Sequence, residues 1–231
     1  MAVTDSSFAR NRPQRSYLRA PVPIHFPESE EMPETGVHLE VRTALYLLVR
    51  DFVGARGAVG SEQFVYWDPS EPRRCLAPDL IVRMGAVPGP FPVWKTWERG
   101  APHLAVEVVS PFDTGEAEWQ RKLARYRRSG INEIARFDPE DAARPLRLWD
   151  RLEGDLVERD LIGDNALLCD TLAVYWCVRS DPTLGQTLRF SHDALGQELV
   201  PTSAERERAA AERERAAAER IAALEAELRL R

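Results

Sequence analysis

Two acidic residues lie where the surrounding pattern calls for apolar ones: Glu107 within LAVEVV and Asp79 within APDLIV. Leu104, Ala105, Val106, Val108 and Val109 form a short apolar run of the kind found in strands covered on both faces, and Ser110-Pro111 ends it. An ionised carboxylate buried there survives only when it is paired, hydrogen-bonded or bound to a metal. If the two runs are neighbouring strands, as the short connection between them permits, the carboxylates approach within roughly 5–8 Å of each other. Like charges that close repel. A hard divalent cation relieves both problems, because Mg2+ takes carboxylate oxygens and keeps several waters for chemistry. Asp79 and Glu107 are therefore candidate metal ligands. The competing readings are a salt bridge for Glu107, with Lys122 as partner, and a strand-starting turn cap for Asp79.

A third group comes from the segment between Gly115 and Gly130. At about 100° per residue, Trp119, Leu123 and Tyr126 fall on one apolar stripe. Lys122 lies roughly 40° from Tyr126, at the edge of the face that packs on a sheet, where a lysine can run along apolar surface and deliver its ammonium to the carboxylates. Glu118, one turn earlier, shares that edge and either pairs with Lys122 or joins the metal site. Glu62, in GSEQFVYW, is a further acidic candidate beside its reading as a solvated strand residue.

These side chains need elements to hold them. GVHLEVRTALYLLVRDFVG places Val37, Val41, Leu45, Leu48 and Phe52 at helical spacing and ends at Gly54. SEQFVYW has strand composition, DPSEPRR is turn chemistry, and CLAPDLIVRM returns as a strand entered through proline. A long loop leads to the Glu107 strand; a helix over 115–129, the strand NEIARF and the turn DPED follow. The order helix, strand, strand, strand, helix, strand implies an α/β sheet with helices on its faces. LRLWDRLEGDLVERD reads as two strands about Gly154 and LRFSHDALGQEL as another hairpin, both extending or capping the same sheet. From Ala204 the chain repeats AERERAA with a seven-residue period. Thr202 and Glu205 form a capping box at its start, and Ala217, Ile221, Leu224 and Leu228 supply a heptad seam. Either an oligomerisation helix or a solitary solvated helix fits.

The 231 residues, 44% hydrophobic and 29% charged, suit one sizeable core with an appendage. Domain expectations are a flexible leader over 1–22, a main domain over 23–200 and a C-terminal helix over 201–231. Cys75, Cys169 and Cys177 show no CxxC spacing, and no signal-peptide core or membrane-length apolar run is present, so a cytoplasmic protein with no membrane partner is expected. A net charge of −6 argues against a general nucleic-acid binder, although RKLARYRR carries a local positive run. His25, His38, His103 and His192 lack metal spacing and read as core or surface residues. No GxSxG, HExxH, P-loop or GxGxxG occurs, which leaves serine hydrolase, zincin, nucleotide-driven and Rossmann readings without support.

The ordered series PD, EVVSP, a helix with E-x-x-x-K-x-x-x-Y, then SGINEIARFDP resembles the Uma-type restriction-endonuclease family within the PD-(D/E)XK nuclease superfamily, over about Pro23 to Val178. The resemblance implies a restriction-endonuclease-like mixed central sheet flanked by helices. It also implies Mg2+ (or Mn2+) on Asp79 and Glu107, completed by the Val108 carbonyl. The superfamily lysine two residues after the acid is replaced here by Val109, and the resemblance implies that Lys122 on the following helix takes its place. The implied reaction is hydrolysis of DNA phosphodiesters, with Lys122 assisting and Arg121, Arg125, Arg127 and Arg128 touching the substrate backbone, in a homodimer or higher oligomer. A catalytically idle assembly module that uses the heptad tail is the alternative.

Overall fold

The computed structural model describes residues 36–110, 115–163 and 165–229. The expected leader, His25 and Pro111 lie outside these. Helix α1 (Gly36–Val53) buries Val41, Leu45, Leu48, Val49 and Val53, while Val37 stays exposed, so the apolar stripe starts one turn later than the spacing suggested. A short 3-10 turn (Gly54–Arg56) follows, entered through Gly54 at φ 53°, the left-handed conformation that glycine adopts at no steric cost.

Strands β1 (Gly57–Gly60), β2 (Val65–Tyr66), β3 (Cys75–Leu76), β4 (Leu80–Met84) and β5 (Trp94–Lys95), the one-turn helix α2 (Thr96–Arg99) and β6 (Leu104–Val108) come next. Then α3 (Glu116–Ser129) crosses to β7 (Glu133–Phe137), β8 (Leu146–Leu152) and β9 (Asp155–Glu158). The central sheet has the order β1-β4-β6-β7-β8-β9. Only β6 and β7, joined through α3, run parallel; the remaining neighbours are antiparallel. This is the mixed sheet expected from the sequence.

Alternation along the strands sorts side chains onto two faces. Leu104, Val106 and Val108 of β6 join α1 in one core. Ala105 joins Trp119, Leu123 and Tyr126 of α3, together with Ile134 and Trp149, in the other. Glu107 has the parity of Ala105 and therefore emerges under α3.

Three local differences have physical reasons. CLAPDLIVRM is two strands, interrupted at Ala77-Pro78-Asp79 because proline offers no amide hydrogen to a ladder. Glu62 N–H takes the Pro78 carbonyl at 2.9 Å instead. Strand β1 is a short GAVG segment with no readable pattern, and its glycines are steric necessities: a Cβ on Gly57 would fall 2.6 Å from Arg83 O. The C-terminal strands β10 (Leu168–Cys169), β11 (Val174–Asp181) and β12 (Gly185–Ser191) form their own antiparallel sheet, which packs on the α1 face rather than lengthening the central one. Past Ser191 only a single bridge to Leu199 remains of the hairpin read in LRFSHDALGQEL.

Helix α4 (Ser203–Arg229) starts on the capping box foreseen: Thr202 N–H donates to Glu205 Oε2 at 2.7 Å, and Glu205 N–H to Thr202 Oγ1 at 3.2 Å. It buries no residue; Ile221, Leu224 and Leu228 are all exposed.

Candidate functional site

The antiparallel register Leu80↔Val106, carried one residue further, sets Asp79 opposite Glu107. Both are buried, at 8% and 5% exposure. Val108 N–H donates to Asp79 Oδ2 at 2.7 Å, tying the PD turn to the end of β6. Helix α3 is fixed by Trp119, Leu123 and Tyr126, and that seating delivers two donors to Glu107. Lys122 Nζ lies 2.7 Å from Oε2, and the Tyr126 hydroxyl donates to Oε1. From the opposite core, α1 contributes His38, whose Nε2 is 2.9 Å from the Val108 carbonyl and 3.9 Å from Asp79 Oδ2.

Burial, and next the charge of Glu107, push the Asp79 carboxyl up to about 7. Burial and the same carboxylate push the Tyr126 phenol well above its ordinary range, so it remains a protonated donor. Two acids, one ammonium, one phenol, one imidazole and the peptide of Val108 thus form a single network.

The network borders a cleft of about 630 Å3, whose wall includes Glu107, Val108, Trp119, Lys122 and Arg136. Asp79 lies behind that wall. A larger cavity of about 860 Å3 beside β9 has its charged pair Arg144 and Glu158 already joined at 2.8 Å, and it holds none of the groups above.

Glu118, Arg121 and Arg125 line the same cleft, and Arg125 also donates to the Cys75 carbonyl. Arg127 is instead held by Asp155 at 2.5 Å, and Arg128 is exposed outside the lining, so the basic run divides between two sides of α3. Glu62 stands at φ 61° and pairs with the buried Arg42, outside the cleft wall. It braces the PD turn rather than reaching the Glu107 side. His38, Tyr126 in its donor role, and Arg136 escaped the sequence reading. The only signal for His38 was its place one turn before Arg42 on the half of α1 that packs inward.

Among the described residues no group of three or more His, Cys, Asp or Glu side chains forms a metal cluster. The available set, two carboxylates and a carbonyl, is made of hard oxygen donors. It suits a divalent ion of the Mg2+ type, which retains water and substrate oxygens in its remaining positions. The charge accumulated by Asp79 and Glu107 is what such an ion offsets.

Comparison with known proteins adds to this geometry. The model of the Uma2 family, described as "Putative restriction endonuclease", matches residues 28–178. The chain belongs to this family. Uma2 membership supports a nuclease activity, and the mixed sheet flanked by helices is the restriction-endonuclease-like fold of that group. A crystal structure from Anabaena variabilis, described as a "putative nuclease belonging to DUF820", is similar at 15% identity and TM-score 0.43, covering 62% of this chain and 76% of that one. No curated protein matches the sequence. Among the described residues no helix is long and apolar enough to cross a membrane.

Proposed function

We propose that this Uma2-family protein is a metal-dependent endonuclease that hydrolyses phosphodiester bonds of DNA, with Asp79, Glu107 and the Val108 carbonyl as the ligands of Mg2+ or Mn2+. The observation that carries the reading is the meeting of Asp79 and Glu107, two buried carboxylates, with the Lys122 ammonium at the edge of a cleft. When bound, the ion would supply a more acidic water and charge neutralisation at the scissile phosphate.

The protein's own groups have separable tasks. Glu107 is oriented by Tyr126 on one oxygen, so its free direction is set. Lys122 reaches the other oxygen from a half-exposed position, from which it can orient an attacking water or stabilise charge on the phosphate. His38 holds the Val108 carbonyl and is a positioning residue. Arg121 and Arg125 give salt-dependent, sequence-blind attraction for the backbone.

The same proposal divides the chain into a leader over 1–22, a nuclease domain over 23–200 and a helical tail over 201–231 that joins copies into a homodimer or higher oligomer. Free cysteines at 75, 169 and 177 suit a reducing compartment such as the cytoplasm. One observation favours a second reading, a nuclease fold used for assembly alone: the apolar residues of α4 lie uncovered.

A plasmid-nicking assay with Mg2+ or Mn2+ separates the two. Asp79→Ala and Glu107→Ala should abolish nicking, and calorimetry should show Mn2+ binding that Glu107→Gln removes. Undiminished nicking in either alanine variant, or a wild-type chain that neither binds the ion nor cuts, overturns the enzyme reading.

A further inference from the structure

Two arginines occupy one row of the central sheet, and only one of them is neutralised. Arg136 of β7 is the direct neighbour of Glu107 on β6 and of Arg147 on β8, so all three side chains leave the sheet toward α3. Each guanidinium lies over an indole: Arg147 is 4.9 Å from the Trp149 centroid and Arg136 is 5.4 Å from that of Trp119. The two indoles are themselves 5.0 Å apart. The likeness stops there. Arg147 is forked onto Glu158, with Nε at 2.9 Å and Nη2 at 2.7 Å, and reaches Glu116 at 3.0 Å. Arg136 makes no hydrogen bond or ion pair with any described residue. Burial holds its pKa down, against the longer-range attraction of Asp138, Glu116 and Asp141.

A guanidinium at 9% exposure with no carboxylate in direct contact among the described residues is an expensive arrangement. Stacking on an indole offsets only about 0.5–2 kcal/mol of it. The small exposed remainder of Arg136 belongs to the wall of the Glu107–Lys122 cleft. The indole N–H of Trp119, also in that wall, is buried without an acceptor. The Arg136 guanidinium and the Trp119 N–H thus leave donors beside Glu107 with no acceptor in direct contact among the described residues.

We infer that Arg136 is a substrate-binding residue that takes a non-bridging phosphate oxygen of the nucleic-acid strand in the cleft, on the side of Glu107 opposite Asp79. The inference rests on the phosphodiester reading above and deepens it by assigning the contact that sets where the strand lies. Arginine suits this task because its planar fork can take two oxygens of one phosphate while its face stays on the indole. Arg121 and Arg125, both exposed, attract the backbone without fixing its position.

The test is fluorescence anisotropy of a labelled DNA duplex with the full-length protein, Ca2+ replacing Mg2+, over a range of salt. Arg136→Gln should weaken binding by about tenfold or more, the worth of one charge-assisted hydrogen-bonded contact. It should also lower the slope of log Kd against log salt by about one phosphate. Arg136→Lys should keep the slope and recover part of the affinity. Wild-type affinity and slope in Arg136→Gln, whatever its melting temperature, would make Arg136 a structural rivet on Trp119 and overturn the inference while leaving the enzyme reading in place. Should Arg136→Gln fail to fold, Arg136→Lys decides: several-fold weaker binding at constant slope supports the contact, and unchanged affinity overturns it. A wild-type chain that neither binds nor nicks DNA removes both readings together.

Discussion

The backbone amide of Val108 donates to Asp79 Oδ2 at 2.7 Å, so the proline turn that carries one acid is fastened to the strand that carries the other. The two acids cannot move apart independently. Their repulsion is built into the folded state, and several expectations derive from it.

Asparagine at position 79 keeps an acceptor for the Val108 amide and deletes the buried charge. Asp79→Asn should therefore raise stability at pH 8 by about 1–2 kcal/mol while abolishing nicking, the trade-off common at strained functional sites. Paired thermal melts and nicking assays check this; a variant that is both less stable and active would contradict it.

The pH response follows from the same group. Asp79 is pushed up to about 7 in the folded chain from an ordinary value of 3.8, so between those values the native state binds more protons than the unfolded one. Stability of the metal-free protein is fullest at the low end of that window and falls as pH rises through about 7. Glu133, raised by burial, acts in the same direction. Carboxylates that are lowered, such as Asp193 at about 2, exert their opposite effect only below their unfolded values, and His103, lowered by burial, opposes the fall only below about 6.5. Scanning calorimetry from pH 5 to 8 should show a falling melting temperature without metal and a flatter profile with Mn2+, since the ion and the proton compete for the site. A rise over that range without metal would refute it.

Lys122 is partly exposed, but its partner Glu107 is buried, so removing the ammonium leaves a carboxylate oxygen without its donor at a cost of about 1–3 kcal/mol. Lys122→Met should lower the melting temperature accordingly and reduce kcat by roughly 10²–10³, the usual effect of removing one transition-state donor. A loss confined to KM would assign it to binding instead.

Tyr126 is fully buried and holds Glu107 Oε1. Tyr126→Phe leaves that oxygen without its donor in a dry setting, at a cost of about 1–3 kcal/mol. Chemical denaturation measures the loss, and weaker Mn2+ binding should accompany it because the carboxylate is no longer oriented.

Ending the chain after Glu207 keeps the Arg189–Glu205 pair at 2.8 Å and removes helix that is exposed throughout its described residues. The nuclease domain should melt within about 1 kcal/mol of the full chain, as expected for loss of surface alone. Light scattering should show a smaller assembly, and an unchanged mass would refer oligomerisation to another surface.

What the sequence disclosed was what local periodicity encodes. Helices α1 and α3 and strands β6 to β9 follow from spacing and glycine stops; Asp79 and Glu107 stood out as residues at odds with their apolar surroundings, and Lys122 by its place at the edge of the α3 packing face. Strand β5 has only two residues, too short to carry a period, and it lies inside the segment that reads as a long loop. The separateness of the second sheet depends on which core it packs against, a tertiary fact. His38 lies 70 positions from Val108, so only folding reveals their meeting. Arg136 draws no notice within NEIARF, because its lack of a direct ion pair stands out only once Arg147 is seen to possess one.

Helix α4 has 27 residues, which at 1.5 Å per residue makes a rod about 40 Å long. Its large apolar residues sit in the distal third. Anything gripped there is held at arm's length, with a reach comparable to about a dozen stacked base pairs, so tethering and cutting can proceed without competing for the same space.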